Sequence, residues 1–169
     1  MLTSRPNKAT TLALAHEAMA DAAVLAELLH LLYEGHHPVC WHAAWVIEKV
    51  AQQQPSLLIG ERTRLVKQAI HPATPDGLRR LLLTTLHHLP DEAEIDVEFF
   101  NFLLDKMTDL QAPPAVQAVA MKLAEHMSRS EPDLHDELLC IIRNLELDYY
   151  PPALRSVVRR FTIIRKTKS

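Results

Sequence analysis

The stretch at 38–50, PVCWHAAWVIEKV, decides the reading of the chain because its pattern returns three times. Displaced by 38 residues it becomes DGLRRLLLTTLHH at 76–88, then PAVQAVAMKLAEH at 114–126, then PALRSVVRRFTII at 152–164. Cys40, Leu78, Val116 and Leu154 fall in one column. Ala43, Leu81, Val119 and Val157 fall in a second, and Ala44, Leu82, Ala120 and Val158 in a third. These columns stand at i, i+3 and i+4, which is one apolar stripe of an α-helix. The intervening halves keep the same beat: Pro55 and Pro132 lie 77 positions apart, close to two periods, and each opens a further run of helical spacing.

Proline punctuates these runs. The 11 prolines are tolerated in a first helical turn and not in a helix interior, so they mark starts and stops. With Gly at only 3 positions, little else breaks the pattern. The spacing predicts helices near 5–18, 22–33, 38–52, 56–70, 76–89, 94–107, 113–128, 132–145 and 152–164. No segment sustains the alternation of a strand, and the fold class is all-α. Each unit is a pair of helices whose wide apolar face is buried only by stacking on its neighbours.

A fixed period of proline-marked helix pairs resembles the HEAT/armadillo α-solenoid repeat superfamily over about residues 5–164. The resemblance implies a right-handed α-α superhelix of about four to five pairs in one domain spanning 1–169. The pairs would be 5–33, 38–70, 76–107 and 113–145, followed by a final helix 152–164 and a short basic tail. The period is shorter than the usual ~40–47 residues of such repeats. HPVCWHAAWVIEKV and PPAVQAVAMKLAEHMSRSEPDLHDELL also resemble short bacterial helical-repeat proteins of unassigned function. Some of those carry the label adenylosuccinate lyase. That label does not transfer: the chain is far shorter than that enzyme's subunits and nothing in it reads like the signature loop SSxMPxKxN.

Composition narrows the classes further. At 169 residues, 48% hydrophobic and 23% charged, the chain can bury a core without disulfides or metal, and it is neither collagen-like nor disordered. Its two cysteines, Cys40 and Cys140, fit reduced thiols of a cytoplasmic protein. Met1 to Lys8 has no apolar run of an export signal behind it. The longest apolar stretch, Leu12–Tyr33, is interrupted by His16, Glu17, Asp21 and Glu27, so no membrane span is expected.

Charge is uneven. The whole chain sums to −3, yet the last 19 residues hold six bases and no acid, which leaves −9 on the first 150. Asp91–Asp109 is the acidic extreme. The basic end reads either as a solvated helix terminus, with cations near the negative pole of its dipole, or as a contact for an acidic partner.

No catalytic signature occurs: there is no HExxH, phosphate loop or GxSxG elbow. Glu34, His36, His37, Cys40 and His42 are dense enough for a metal to be considered, but their spacing matches no closed zinc pattern. The acidic run Asp91–Glu98 lacks EF-hand spacing and reads better as capping and surface charge. His87 and His88 fit the C-terminal turn of a helix, and His126 and His135 flank the turn at Pro132. No cofactor and no metal are expected.

The residues singled out for binding are Trp41, Trp45, Arg64, Lys67, Asp96, Asn101, Arg155, Arg159 and Arg160. Trp41 is an aromatic in a column otherwise filled by Arg79, Gln117 and Arg155, and Trp45 shares one with Leu83, Met121 and Arg159. Either could anchor a partner, since Trp is enriched at hot spots, or fill a gap against the preceding helix pair. The second helices would present Glu61, Arg62, Arg64, Lys67 and Gln68, then Asp96, Glu98, Asn101 and Asp105, then His135, Asp136, Arg143 and Asn144. That mixed surface suits a polypeptide, whereas a nucleic-acid backbone wants a continuous basic stripe. A pI near 6.3 also argues against nucleic acid, whose binding domains often exceed about 9. The expectation is a non-enzymatic protein-interaction scaffold or adaptor, cytoplasmic, a monomer or weak homodimer. The alternative is a nucleic-acid-binding or DNA-repair protein of the HEAT-like type, using the basic C-terminal helix.

Overall fold

The structure is a computed structural model that describes residues 7–90 and 94–166, with side chains as far as Phe161. Among these residues every regular element is helical: α1 (Lys8–Ala20), α2 (Ala22–Glu34), α3 (Val39–Gln53), α4 (Arg62–Ile70), α5 (Asp76–His88), α6 (Val97–Thr108), α7 (Pro114–Ser128), α8 (Pro132–Arg143) and α9 (Pro152–Lys166). A 3-10 helix, Pro55–Glu61, leads into α4, and a 3-10 turn, Leu147–Tyr149, precedes α9. The fold is all-α, as the 38-residue period requires.

Short polar side chains set the starts that the apolar spacing places only loosely. Asn7 accepts the Thr10 N–H at 2.8 Å, so α1 begins at Lys8 rather than near 5. Asp21 closes α1 through its own N–H to the Glu17 carbonyl and caps α2 by accepting the Ala23 N–H. Asp96 accepts the Phe99 N–H at 3.0 Å and starts α6 at Val97, not at 94. The continuous helix expected over 56–70 is instead split. Pro55 opens the 3-10 segment, the Leu57 N–H reaches the Gln54 carbonyl three residues back, and Leu58 alone is fully buried while Leu57 and Ile59 face outward. Ser56 and Gly60 are weak formers of the α-helix, so the tighter winding prevails until Arg62.

The chain falls into two compact units, Met1–Pro90 and Asp91–Ser169. In the first, α1 and α2 pack on α3, α3 packs on α5, and α4 lies against α5. In the second, α7 packs against α6, α8 and α9. The repeat columns are the core of both. Ala43, Leu81, Val119 and Val157 are buried, as are Ala44, Leu82, Ala120 and Val158. Leu78, Val116 and Leu154 are buried too, whereas Cys40 in the same column is only half-buried, next to the turn rather than inside the core. From α3 onward the first helix of a pair carries more of this burial than the second: α7 has 8 buried residues and α8 has 2.

Among the polar side chains buried in these helices, Arg79 and Gln117 share one column. Arg79 on α5 is 6% exposed and donates from Nε to the Ala69 carbonyl (3.0 Å), from one terminal nitrogen to the His71 carbonyl (3.1 Å) and from the other to Asp76 (2.8 Å). Gln117, one period later on α7, is 1% exposed and donates to the Asp109 carbonyl at 2.7 Å. His71 and Asp109 are the residues that end α4 and α6. Each side chain therefore reaches back eight residues to the open end of the preceding helix. Arg62 is buried as well, at 8% exposure, and its guanidinium donates to the Pro90 carbonyl; it belongs to the interior and not to the surface on which its charge had placed it.

Arg79→Leu removes the donors to the Ala69 and His71 carbonyls, of which the second keeps the Thr74 N–H, and is expected to cost about 3 kcal/mol, while Gln117→Leu is expected to cost ~1–2 kcal/mol, because Gln117 Oε1 has no donor among the described residues. Arg159→Gln on the exposed side of α9 should change stability by under about 0.5 kcal/mol. Urea unfolding of the three variants checks the order.

Candidate interaction surfaces

Trp41 stands in the column of Arg79 and Gln117 but is 41% exposed. Gly35 ends α2 by giving its N–H to the Leu31 carbonyl, and the His36 carbonyl takes the N–H groups of Val39 and Cys40. A Cβ on Gly35 would collide with the Leu31 oxygen, so any other residue here would force the turn to shift. With the helix end sealed locally, Trp41 turns outward and lies over Gly77 of α5. A Cβ at Gly77 would stand 2.8 Å from the indole Cζ2. The indole thus packs on the following helix pair. His37 completes its surroundings, with ring centroids 5.5 Å apart and planes tilted by 50°. Trp45, one turn on, is half-buried, in a column whose other members are the fully buried Leu83 and Met121 and the exposed Arg159.

Arg64 is exposed on α4 and lies 4.0 Å over the Tyr33 ring, with Glu61 3.5 Å from its guanidinium. Tyr33 donates its hydroxyl to Glu61 at 3.1 Å. Burial, then the neighbouring Glu61 charge, raises the phenol's pKa well above its ordinary value, so the hydroxyl keeps its proton and its bond. Lys67 is exposed farther along the same helix.

On α6, Asp96 is the helix cap, and Glu98, Asn101 and Asp105 are exposed. Asp91 and Glu92, the start of the acidic run, lie outside the described residues. Lys106 is the base of this segment and stands 3.8 Å from Asp109. On α9, Arg155 is half-buried, and Arg159 and Arg160 are exposed. The three line a shallow surface depression of about 460 Å³ together with Pro152 and Ser156. The side chains of Arg165, Lys166 and Lys168 lie outside the described residues.

The histidine-rich turn does not gather a ligand set. Among the described residues no group of three His, Cys, Asp or Glu side chains is placed to hold a metal ion. His135 bonds the Ser128 hydroxyl at 3.0 Å, and Ser128 also donates to the Glu125 carbonyl. Ser128 is 0% exposed, so the pair joins α8 to the end of α7 and offers no nucleophile to a substrate. Among the described residues no helix is long and apolar enough to cross a membrane.

Helix pairs of this kind, on a fixed period, build both units. A family model described as a HEAT repeat domain matches residues 1–165. The chain belongs to the HEAT repeat family. HEAT repeats generally mediate protein–protein interaction and are typically scaffolds, not enzymes. No curated protein and no solved structure matches the chain.

Sequence reasoning treated the Trp41 column as a row of polar surface positions and so missed Arg79, Gln117 and Gly77. One signal was available: Arg79 and Gln117 sit immediately after the buried column of Leu78 and Val116, and so at the edge of the stripe. Gly77 carried no signal, because its role depends on an indole 36 positions earlier in the chain.

In a Trp45→Phe background, Gly77→Ala is expected to lift the Trp41 indole off α5. Fluorescence emission should move to longer wavelength while stability changes by less than about 1 kcal/mol, since alanine's helix propensity offsets the lost contact. Emission left unchanged would show that the ring does not rest on Gly77.

Proposed function

We propose that this HEAT repeat chain is a non-enzymatic adaptor that binds another protein, with Trp41 as an anchor of the contact. One observation carries the reading: Trp41 is a large aromatic held half-exposed on bare helix backbone, at a column position whose buried equivalents bond the preceding helix. A tryptophan fixed in place loses little entropy when a partner covers it, and residues of this type dominate interface energetics. Mixed charge on the exposed second helices supports a polypeptide partner, because Glu98 and Asp105 stand where a phosphate backbone would be repelled. The adaptor needs no cofactor.

Affinity purification of the tagged full chain from its native cells, with and without nuclease, tests the reading. A stoichiometric protein partner that survives nuclease is expected, and Trp41→Ala should weaken its retention by at least ~30-fold, corresponding to a hot spot of about 2 kcal/mol. Recovery only of material that disappears with nuclease would replace the adaptor with a nucleic-acid-binding protein.

A further inference from the structure

The arginine face of α9 is a built feature that the Trp41 contact does not use. Arg155 occupies the same column as Arg79 and Gln117, one further period along, yet it has no helix end to serve. Asn144 closes α8 locally: its N–H and its side-chain amide both donate to the Cys140 carbonyl, and the Leu145 N–H takes the Ile142 carbonyl. The attachment of α9 comes from elsewhere, through buried Leu154, Val157 and Val158 packed on α7, and through the Tyr150 hydroxyl, which donates to the Thr108 carbonyl at 3.1 Å. Arg155 is therefore released from the work its equivalents do.

What Arg155 faces is two further cations. Arg155 and Arg159 are four residues apart and stack on one side of the helix, and Arg160 adjoins them around the same depression. None of the three has an ion pair or side-chain hydrogen bond among the described residues. Like charges at this spacing repel by a few tenths of a kcal/mol, and nothing in the described structure relieves them. A guanidinium presents two parallel donors that fit a carboxylate in a bidentate manner, and Pro152 and Ser156 leave the floor of the depression small enough for such a group to approach.

We infer that Arg155, Arg159 and Arg160 form a docking face for an acidic peptide segment of a protein partner, carrying at least two Asp or Glu side chains. The inference rests on the adaptor reading and specifies the chemistry of the partner. Charge complementarity selects this occupant. Among the described side chains the cluster spans about 7.5 Å of helix, the rise of five residues, which is room for two or three carboxylates. The same unit carries exposed Glu94, Asp96, Glu98 and Asp105, which would oppose an extended polyanion but not a short acidic segment.

Fluorescein-labelled hexaglutamate, titrated with the full chain at low ionic strength and followed by anisotropy, is the direct test. Saturable binding is expected, weakened at least 10-fold in the variant Arg155→Gln/Arg159→Gln/Arg160→Gln. The corresponding triple lysine variant should fall between the two, because it keeps the charge and loses the fork. Circular dichroism should show all three chains equally helical. Absence of saturable binding, or equal affinity in the glutamine variant, overturns the inference, as does tighter binding of hexathymidylate than of hexaglutamate. The two readings fail separately. A nuclease-resistant partner lost in Trp41→Ala, with no hexaglutamate binding, removes the acidic-segment site and keeps the adaptor. Arginine-dependent hexaglutamate binding with no protein partner recovered upholds the site and removes Trp41 as an anchor.

Discussion

A helix that ends leaves its last carbonyls without partners inside the helix, and a fold made of short helices must satisfy many such ends. In this protein a later helix or turn supplies several of the donors. Arg79 takes the Ala69 and His71 carbonyls at the end of α4, and Thr74 takes that of Gln68. Gln117 takes the Asp109 carbonyl after α6, and Tyr150 takes that of Thr108. These bonds fix how far along the chain the next apolar stripe begins. They tie two of the four repeats to the helix before them, while the buried apolar columns carry the 38-residue period through all four.

The same constraint divides labour among the residues. Where a helix end is closed from a later element, the column position is buried and structural, as at Arg79 and Gln117. After α2 and α8, where Gly35, His36 and Asn144 close the end, the residue of this column makes no such bond among the described residues. Trp41 and Arg155 are those two positions. They differ in chemistry, one an indole on a glycine and the other a guanidinium among guanidiniums, and so they suit different features of a partner surface.

Much of this was legible in the sequence. The columns headed by Ala43 and Ala44 are read from alternations of three and four residues, and they need no knowledge of distant contacts, so the helices and the buried stripe follow directly. Helix starts at Asn7 and Asp96 were misplaced by up to three residues, because a cap is a matter of one side chain's geometry and not of apolar spacing. Arg62 was read as surface because charge predicts exposure, yet a guanidinium that finds a carbonyl, here that of Pro90, can be buried. Trp41 stood out as an oddity in its column, but the direction it faces was hidden in Gly77. The arginines of α9 were visible as a basic run, whereas their shared depression depends on how α9 is seated.

The account makes α3, α5 and α7 the structural members of their pairs and the helices that follow them the more exposed ones. Native-state hydrogen exchange of the full chain, resolved to peptides, tests this most directly. Amides of α3 and α5 should exchange only with unfolding of the first unit, and those of α7 only with unfolding of the second. Amides of the 3-10 segment Pro55–Glu61 and of α8 should exchange through local opening at least 100-fold faster. Protection in α8 or in Pro55–Glu61 equal to that of α3, α5 and α7 would contradict it.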